Sequence, residues 1–269
     1  MTKISIIVAV LILTAGSTYA QDENLGFSLG VEAGSRNITE VNDKDNFIYL
    51  MPKLSYYRII DSPFGIGVFD LNTGLELTVW LWDSAVFYFD LLLRYHIDIG
   101  SASNMVFLLR NENNIDPSPV YPLGPFDGRL TPGIRFFPGF GNFYVQADYP
   151  FYYLRFDKNA DFTSSLNLTV AWYIAGLTIT VKENNSITPE MALYTGLDVS
   201  LAYPIHPVNI VVETYFPREI AARGITVTPQ VSFFPAKGIT FYGKCEFNYI
   251  LANGRDIEFS PALGVLYRF

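Results

Sequence analysis

The sequence predicts an all-β fold, a single antiparallel β-barrel that crosses a membrane with its strands. Three observations lead to this prediction. Apolar residues recur at every second position in several segments, which is the periodicity of β-strands. Hydrophobic residues make up 50% of the chain, yet no apolar segment after residue 20 has the length of a transmembrane helix. The last thirteen residues alternate as well and end on Phe269.

The first twenty residues have the features of a cleaved secretory signal peptide. Lys3 precedes an apolar run from residue 4 to residue 15, and Thr18 and Ala20 supply the small residues of a cleavage site. The run is shorter than the roughly 20 residues that span a bilayer. The sequence therefore predicts a signal peptide at 1–20 and one barrel domain at 21–269.

The internal segments alternate in a way that separates charge from apolar surface. In the segment that follows Ala85, Phe87, Phe89 and Leu91 face one way, whereas Asp90 and Arg94 face the other. A β-sandwich would alternate too. However, the 22 Phe and 18 Tyr residues suit a barrel with an apolar outer face, a polar lumen and aromatic residues at both membrane interfaces.

The final strand carries a family resemblance. Between Ile257 and Phe269 every odd position is apolar, and the strand closes on Val265, Tyr267 and Phe269. This ending resembles the assembly signal of bacterial outer-membrane β-barrels. The resemblance implies a porin-like transmembrane barrel in the outer membrane of a Gram-negative bacterium, exposed at the cell surface. It also implies two partners, outer-membrane lipid and the barrel-assembly machinery.

A proline pattern recurs along the chain and indicates the direction of the strands. The pattern has five positions: an apolar residue, then a small residue or Met, then Pro, then any residue, and then a second apolar residue. It begins at Leu50, Leu130, Val227, Phe259 and, more weakly, Ile187. Because proline cannot donate to a strand ladder, we interpret the pattern as one structural position, near the start of each strand that runs toward the periplasm. Short turns follow these strands, and longer polar connections, including 111–128 and 183–188, are predicted to be extracellular loops.

The sequence predicts about twelve strands, with ten and fourteen as the alternatives. The segments with the least regular alternation are 64–73, 105–110 and 164–182. In the last of these the phase slips near Ala175 and Gly176.

The residues on the inner face of the predicted strands are candidates for lining a pore. These lumen residues are Glu32, Asp70, Glu76, Asp90, Arg94, His96, Asp98, Arg129, Arg135, Asp148, Asp198, Glu213, Lys244, Glu246 and Glu258. With Lys53 and Arg268 included, the inner face holds ten acidic and six basic residues, and the whole chain has a net charge of −8. Charge of one sign in a pore biases ion passage, so we expect a mildly acidic lumen and small polar or cationic solutes as partners.

The sequence predicts no catalytic residue, no metal site and no cofactor. The one arrangement that could act as a general base is His96 on a strand with Arg94 and Asp98, which we interpret as a lumen charge network. Nucleic acid is excluded as a partner by the acidic balance. Four hypotheses remain: a small channel or transporter, a non-conducting structural or surface-interaction barrel, a barrel enzyme that uses His96, and a soluble periplasmic β-protein.

Overall fold

The computed structural model describes residues 25–36, 47–63, 66–80, 85–100, 103–115, 126–154, 164–187, 192–218, 224–250 and 256–269. The predicted signal peptide lies outside these ranges, as do residues 188–191 of the weakest proline copy. No helix in the described ranges is long and apolar enough to span a bilayer.

Fifteen β-strands form a single antiparallel sheet. They are β1 (Leu25–Arg36), β2 (Phe47–Asp61), β3 (Val68–Trp80), β4 (Ala85–Asp98), β5 (Asn104–Ile115), β6 (Phe126–Phe137), β7 (Phe143–Asp148), β8 (Phe151–Leu154), β9 (Ser164–Ile174), β10 (Leu177–Ile187), β11 (Ala192–Ile205), β12 (Val208–Pro217), β13 (Ile225–Ala236), β14 (Ile239–Ile250) and β15 (Asp256–Arg268). Because β7 and β8 both pair with β6 and β9, and only Tyr149 and Pro150 separate them, they are two halves of one barrel strand.

The sheet closes on itself. β1 pairs with β2 on one side and with β15 on the other, and each remaining strand also has a neighbour on both sides. Closure leaves no open sheet edge, which is the condition for strands to span lipid. The prediction of one closed antiparallel barrel is confirmed, and the barrel has 14 strands in the described residues rather than twelve.

The two additional strands come from the segments whose alternation was least regular. The phase slip at Ala175 and Gly176 is a two-residue hairpin between β9 and β10, with φ of 49° and 85°. Positive φ at both central residues characterises a type I′ turn, whose twist suits antiparallel strands. β5 continues to Ile115 and β10 to Ile187, so parts of the predicted loops 111–128 and 183–188 belong to the wall.

Both ends of the described chain lie at one end of the barrel, which we call the turn end. The connections His206–Pro207 and Lys237–Gly238 at this end are two residues long, and β6 joins β7 through residues 138–142. Phe269 is fixed there, because its N–H donates to the carbonyl of Phe27 at 2.9 Å.

Four copies of the proline pattern lie in β2, β6, β13 and β15, all of which run toward the turn end. The ladder to a neighbouring strand is interrupted beside the proline. Between β2 and β3, the pair Leu50–Val79 is followed by the pair Lys53–Glu76, so the pairing skips Met51 and Pro52. At Pro132 the partner of β6 changes from β8 to β7. The interruptions follow from the missing N–H of proline.

The distribution of polar and apolar residues is the reverse of that in a water-soluble domain. Glu32, Asp70 and Glu112 are buried, whereas Leu263 on the opposite face is 72% exposed. Outward aromatic residues also gather within a few positions of the turn end, namely Phe69, Tyr95, Phe136, Trp172, Tyr203, Phe233, Phe241 and Tyr267. A polar interior, an apolar exterior and an aromatic girdle are features of transmembrane barrels.

Candidate functional site

The inner face of the wall is the candidate site. Residues directly opposite each other on neighbouring strands share a face, so the strand registers can be followed round the barrel from buried Glu32. All fifteen predicted lumen residues lie on the same face as Glu32. The register establishes the direction in which these side chains point, and their function is a matter for the proposal below.

Glu32 is the centre of the first polar cluster. Its carboxylate accepts hydrogen bonds from the hydroxyls of Tyr49 and Tyr242, each at 2.7 Å. The ammonium groups of Lys53 and Lys244 lie 3.1 and 3.0 Å from its oxygens. The carboxylate has no exposed surface, and a buried charge of this kind is tolerated only when it is paired and hydrogen-bonded. Lys53 also lies 3.6 Å from Glu76, which joins the cluster at its edge.

Two glycines make room for the tyrosines of this cluster. A Cβ atom at Gly34 would lie 2.7 Å from the hydroxyl of Tyr49, and a Cβ atom at Gly264 would overlap the ring of Tyr242. Gly264 is the direct cross-strand partner of Tyr242. The tyrosines therefore lie along the wall, over glycine backbone.

A second cluster spans β4, β5 and β6. Arg110 binds Asp90 through two hydrogen bonds, from Nε at 3.0 Å and from Nη2 at 2.9 Å. Glu112 accepts a hydrogen bond from Nε of Arg129 at 2.7 Å and from the hydroxyl of Tyr88 at 3.0 Å. Arg110 also lies 3.4 Å from Glu112. Bidentate arginine–carboxylate pairs are well-defined, strong interactions, so both carboxylates are neutralised locally.

The charge network predicted around His96 includes Arg94 but has Asp70, rather than Asp98, as its carboxylate. Nε2 of His96 lies 3.7 Å from Asp70 on the neighbouring strand, and Asp70 also accepts a hydrogen bond from Arg94 at 2.6 Å. Asp98 instead accepts a hydrogen bond from the side chain of Asn104 at 3.0 Å. An arginine already occupies the carboxylate beside His96, which is the arrangement of an ion-pair network. Within the described ranges, no group of three or more His, Cys, Asp or Glu residues could hold a metal ion.

A third group continues along β6 and β7. Nε of Arg135 donates to the amide oxygen of Gln146 at 2.6 Å, and the amide nitrogen of Gln146 donates to Asp148 at 2.7 Å. The guanidinium of Arg135 also lies 4.4 Å from the ring centre of Tyr144, a cation–π distance.

The remaining acidic lumen residues lie on β11, β12, β14 and β15. Asp198 accepts a hydrogen bond from the amide of Asn184 at 2.7 Å. Glu213 lies directly opposite Ser200 and Thr228, and Glu258 lies opposite Asn248. Glu213 and Glu246 are exposed toward the interior of the barrel.

Two cavities border this part of the wall. One has a volume of about 410 Å³ and the other about 450 Å³, and both are lined by Glu213 and Thr228. The interior is therefore not completely filled by side chains.

The sequence prediction of the inner face omitted Asp61, which ends β2 on that face, and three charged residues of β5 and β10. Arg110 and Glu112 lie on β5, and Lys182 lies opposite Asp198 on β10. Their segments were assigned to irregular strands or loops because polar residues dominate them. Because residues 110–114 are polar at every position, this segment carries no alternation that could have revealed the strand.

The residues of the predicted assembly signal lie on β15 and just beyond it. Val265 pairs with Val31, and the rings of Tyr267 and Phe269 are in edge-to-face contact, with their centroids 4.6 Å apart. Val265 and Tyr267 share the outward face. Their role in assembly stays a prediction.

Comparisons with known proteins identify the architecture. Neither family models nor curated proteins match the sequence. By structure, the chain is similar to a mutant of the Rh. blastica porin, with 9% identity, 91% of this chain and 100% of that chain covered, and a TM-score of 0.51. It is also similar to a mutant of TodX, a monoaromatic hydrocarbon channel, with 11% identity, 94% and 92% coverage, and a TM-score of 0.51. These likenesses show the fold: the chain has the closed antiparallel architecture of the porin-like outer-membrane β-barrels.

Proposed function

We propose that the protein is an outer-membrane channel for small polar solutes, with a mildly acidic lumen. The observation that carries the proposal is the polar inner face of a closed barrel that also encloses cavities of about 410 and 450 Å³. A barrel with only a structural role could fill its interior with side chains, whereas open polar space lets a hydrated solute enter.

The character of the lumen favours polar solutes over hydrocarbons. Of the two structural relatives, one is a porin and the other a monoaromatic hydrocarbon channel. The cavities of about 410 and 450 Å³ beside Glu213 are bordered by hydroxyl, carboxylate, amide and ammonium groups, which would lose hydration against an aromatic hydrocarbon. A hydroxyl-rich wall instead offers hydrogen bonds to a polar solute.

The proposal includes the export route and the location of the protein. Residues 1–20 would direct export and be removed, and Val265, Tyr267 and Phe269 would be recognised by the barrel-assembly machinery. The barrel would then lie in the outer membrane of a Gram-negative bacterium, in contact with its lipid, with loops at the cell surface.

Conductance tests the channel directly. Refolded residues 21–269 should produce discrete conductance steps in a planar bilayer and should let small neutral polar solutes swell liposomes. Absence of both would favour the alternative, a non-conducting surface or structural barrel. Turnover of lipid or peptide that disappears in His96→Ala would instead indicate a barrel enzyme. The contact of His96 with an arginine-bound Asp70 argues against that function.

A further inference from the structure

The inner-face carboxylates differ in how they are neutralised. On β1 and on β3 to β5, Glu32, Glu76, Asp70, Asp90 and Glu112 each lie within 4 Å of a lysine or arginine. On β12 and β14, Glu213 and Glu246 form no ion pair with any described residue. Asp98, near the turn end of β4, is also outside these ion pairs and accepts a hydrogen bond from Asn104. The field of a carboxylate bound to an arginine is largely cancelled a few ångströms away, whereas an unpaired carboxylate acts over about a Debye length.

The unpaired carboxylates border the open space of the barrel. The cavity of about 410 Å³ lies against β9 to β13, where the hydroxyls of Thr180, Ser200, Thr226 and Thr228 surround Glu213. The cavity of about 450 Å³ crosses the interior toward Ser35 on β1. Since Glu213 and Thr228 line both cavities, the two spaces adjoin at this pair.

Each cavity has more carboxylates than ammonium groups. The first holds Lys182 against Asp198 and Glu213. The second holds Lys244 against Glu213 and Glu246, and Lys244 is already bound to Glu32 at 3.0 Å. Glu213 is common to both cavities, so its charge contributes to the potential in each.

We propose that solutes pass through the space formed by these two cavities and that Glu213, at their junction, determines a preference for small cations. This inference rests on the proposed channel function. The solute class is small monovalent cations whose N–H groups or hydration water can hydrogen-bond to the hydroxyls of the wall. The neutralised clusters around Glu32, Asp70 and Asp90 then stabilise the wall and contribute little to selectivity.

The local potential can be measured without relying on conductance. A single accessible thiol is introduced as Thr228→Cys, with Cys245→Ser to remove the native cysteine, in refolded residues 21–269. The rates of modification by a cationic and an anionic methanethiosulfonate are compared at about 0.1 M salt. Thr228 is the direct cross-strand partner of Glu213. The carboxylate of Glu213 would then lie about 6 Å from the thiol, in water. Its removal in Glu213→Gln should lower the ratio of the cationic to the anionic modification rate about threefold.

The matched control is Asp90→Asn combined with Arg110→Gln, because it makes the same acid-to-amide change on the same face and also removes the arginine that Asp90 binds. Asp90 lies on β4, six strand spacings from β13 by the shorter way round the wall. Because both side chains point into the lumen, the relevant separation is the chord across the barrel, about 20 Å between backbones for fourteen strands at roughly 4.8 Å each. This exceeds the Debye length of about 10 Å, so we expect the rate ratio to stay unchanged. A thiol at residue 228 that neither reagent reaches, or equal effects of the two variants, would overturn the inference.

Reversal potentials across a salt gradient provide the second measurement. The unmodified barrel should prefer cations, Glu213→Gln should lose most of this preference, and the double variant of Asp90 and Arg110 should retain it. Conductance with selectivity unaffected by Glu213→Gln would overturn the inference and leave the channel function standing. A barrel with no conductance would overturn both proposals.

Discussion

Glu32 has no exposed surface, yet both of its carboxylate oxygens have partners from two other strands, β2 and β14. Removal of one partner would leave a buried charge incompletely compensated, which is more costly than the loss of an exposed ion pair. Asp90 illustrates the same point in another cluster. Its charge appeared from the sequence to be available to a solute, but Arg110 binds both of its oxygens. The partners of a lumen residue therefore decide whether its charge acts on the pore.

The close packing of Tyr242 on Gly264 gives a prediction at a single residue. Gly264→Ala should lower the free energy of unfolding by about 1–3 kcal/mol, because the added methyl overlaps the tyrosine ring and displaces it from Glu32. Urea titration of the refolded barrel in detergent or lipid vesicles measures this change.

Gly74→Ala is the control for this substitution. Gly74 also lies on the inner face of a strand, but a Cβ atom there would meet nothing within 4 Å. Since alanine restricts the unfolded chain more than glycine does, the change should be neutral or slightly stabilising. Equal losses in the two variants would show that the tyrosine contact is not the cause.

At the scale of the strand, alternation decides which side chains face outward and which face the lumen. Val211 and Val212 are adjacent in β12 and have the same side chain, but they point to opposite faces. Val211 lies opposite Gln230, and Val212 lies opposite Pro229. A shift of one residue in register would exchange their environments completely.

Arginine substitution at these two positions tests the faces. Val212→Arg should cost roughly 2–4 kcal/mol if the position lies near the middle of the bilayer, because the guanidinium would face hydrocarbon. Val211→Arg should cost distinctly less, since its side chain enters the lumen on the same face as Glu213. Equilibrium unfolding of both variants from lipid vesicles provides the comparison. A larger loss for Val211→Arg would contradict the assignment of the faces.

At the scale of the whole molecule, the barrel exists only when its first and last strands pair. β1 and β15 share seven residue pairs, from Ser28–Arg268 to Gly34–Ala262. The N–H of Phe269 adds a hydrogen bond to Phe27 at the turn end. The C-terminus is therefore both the proposed assembly signal and part of the closing seam.

Deletion of Phe269 should block insertion into the outer membrane while export continues, so that the processed chain accumulates in the periplasm. Cell fractionation and the faster migration of a folded barrel in unheated detergent gels report the outcome. Phe269→Tyr is the control, because it keeps an aromatic ring at the terminus and should insert normally. Normal outer-membrane levels of the deletion variant would show that the resemblance of the terminal strand to an assembly signal is accidental.

The sequence by itself determined the fold class, the placement of the predicted lumen residues on one face and the position of several short turns. These properties depend on alternation at every second residue and on turn chemistry, both of which are local. The prediction of strands from alternation failed where the alternation was least regular, at β5 and at the Ala175–Gly176 hairpin. The predicted number of strands was therefore two too small.

Only the tertiary structure decided which charges neutralise each other. Tyr242 and Glu32 are 210 residues apart in the chain and meet because β1, β14 and β15 lie side by side after closure. Arg110 reaches Asp90 because β4 and β5 adopt one particular register. The cavities beside Glu213 likewise depend on how side chains from several strands fill the interior. A two-residue period specifies the face of a side chain, but the partner it meets across the barrel depends on register and closure, which no single segment contains.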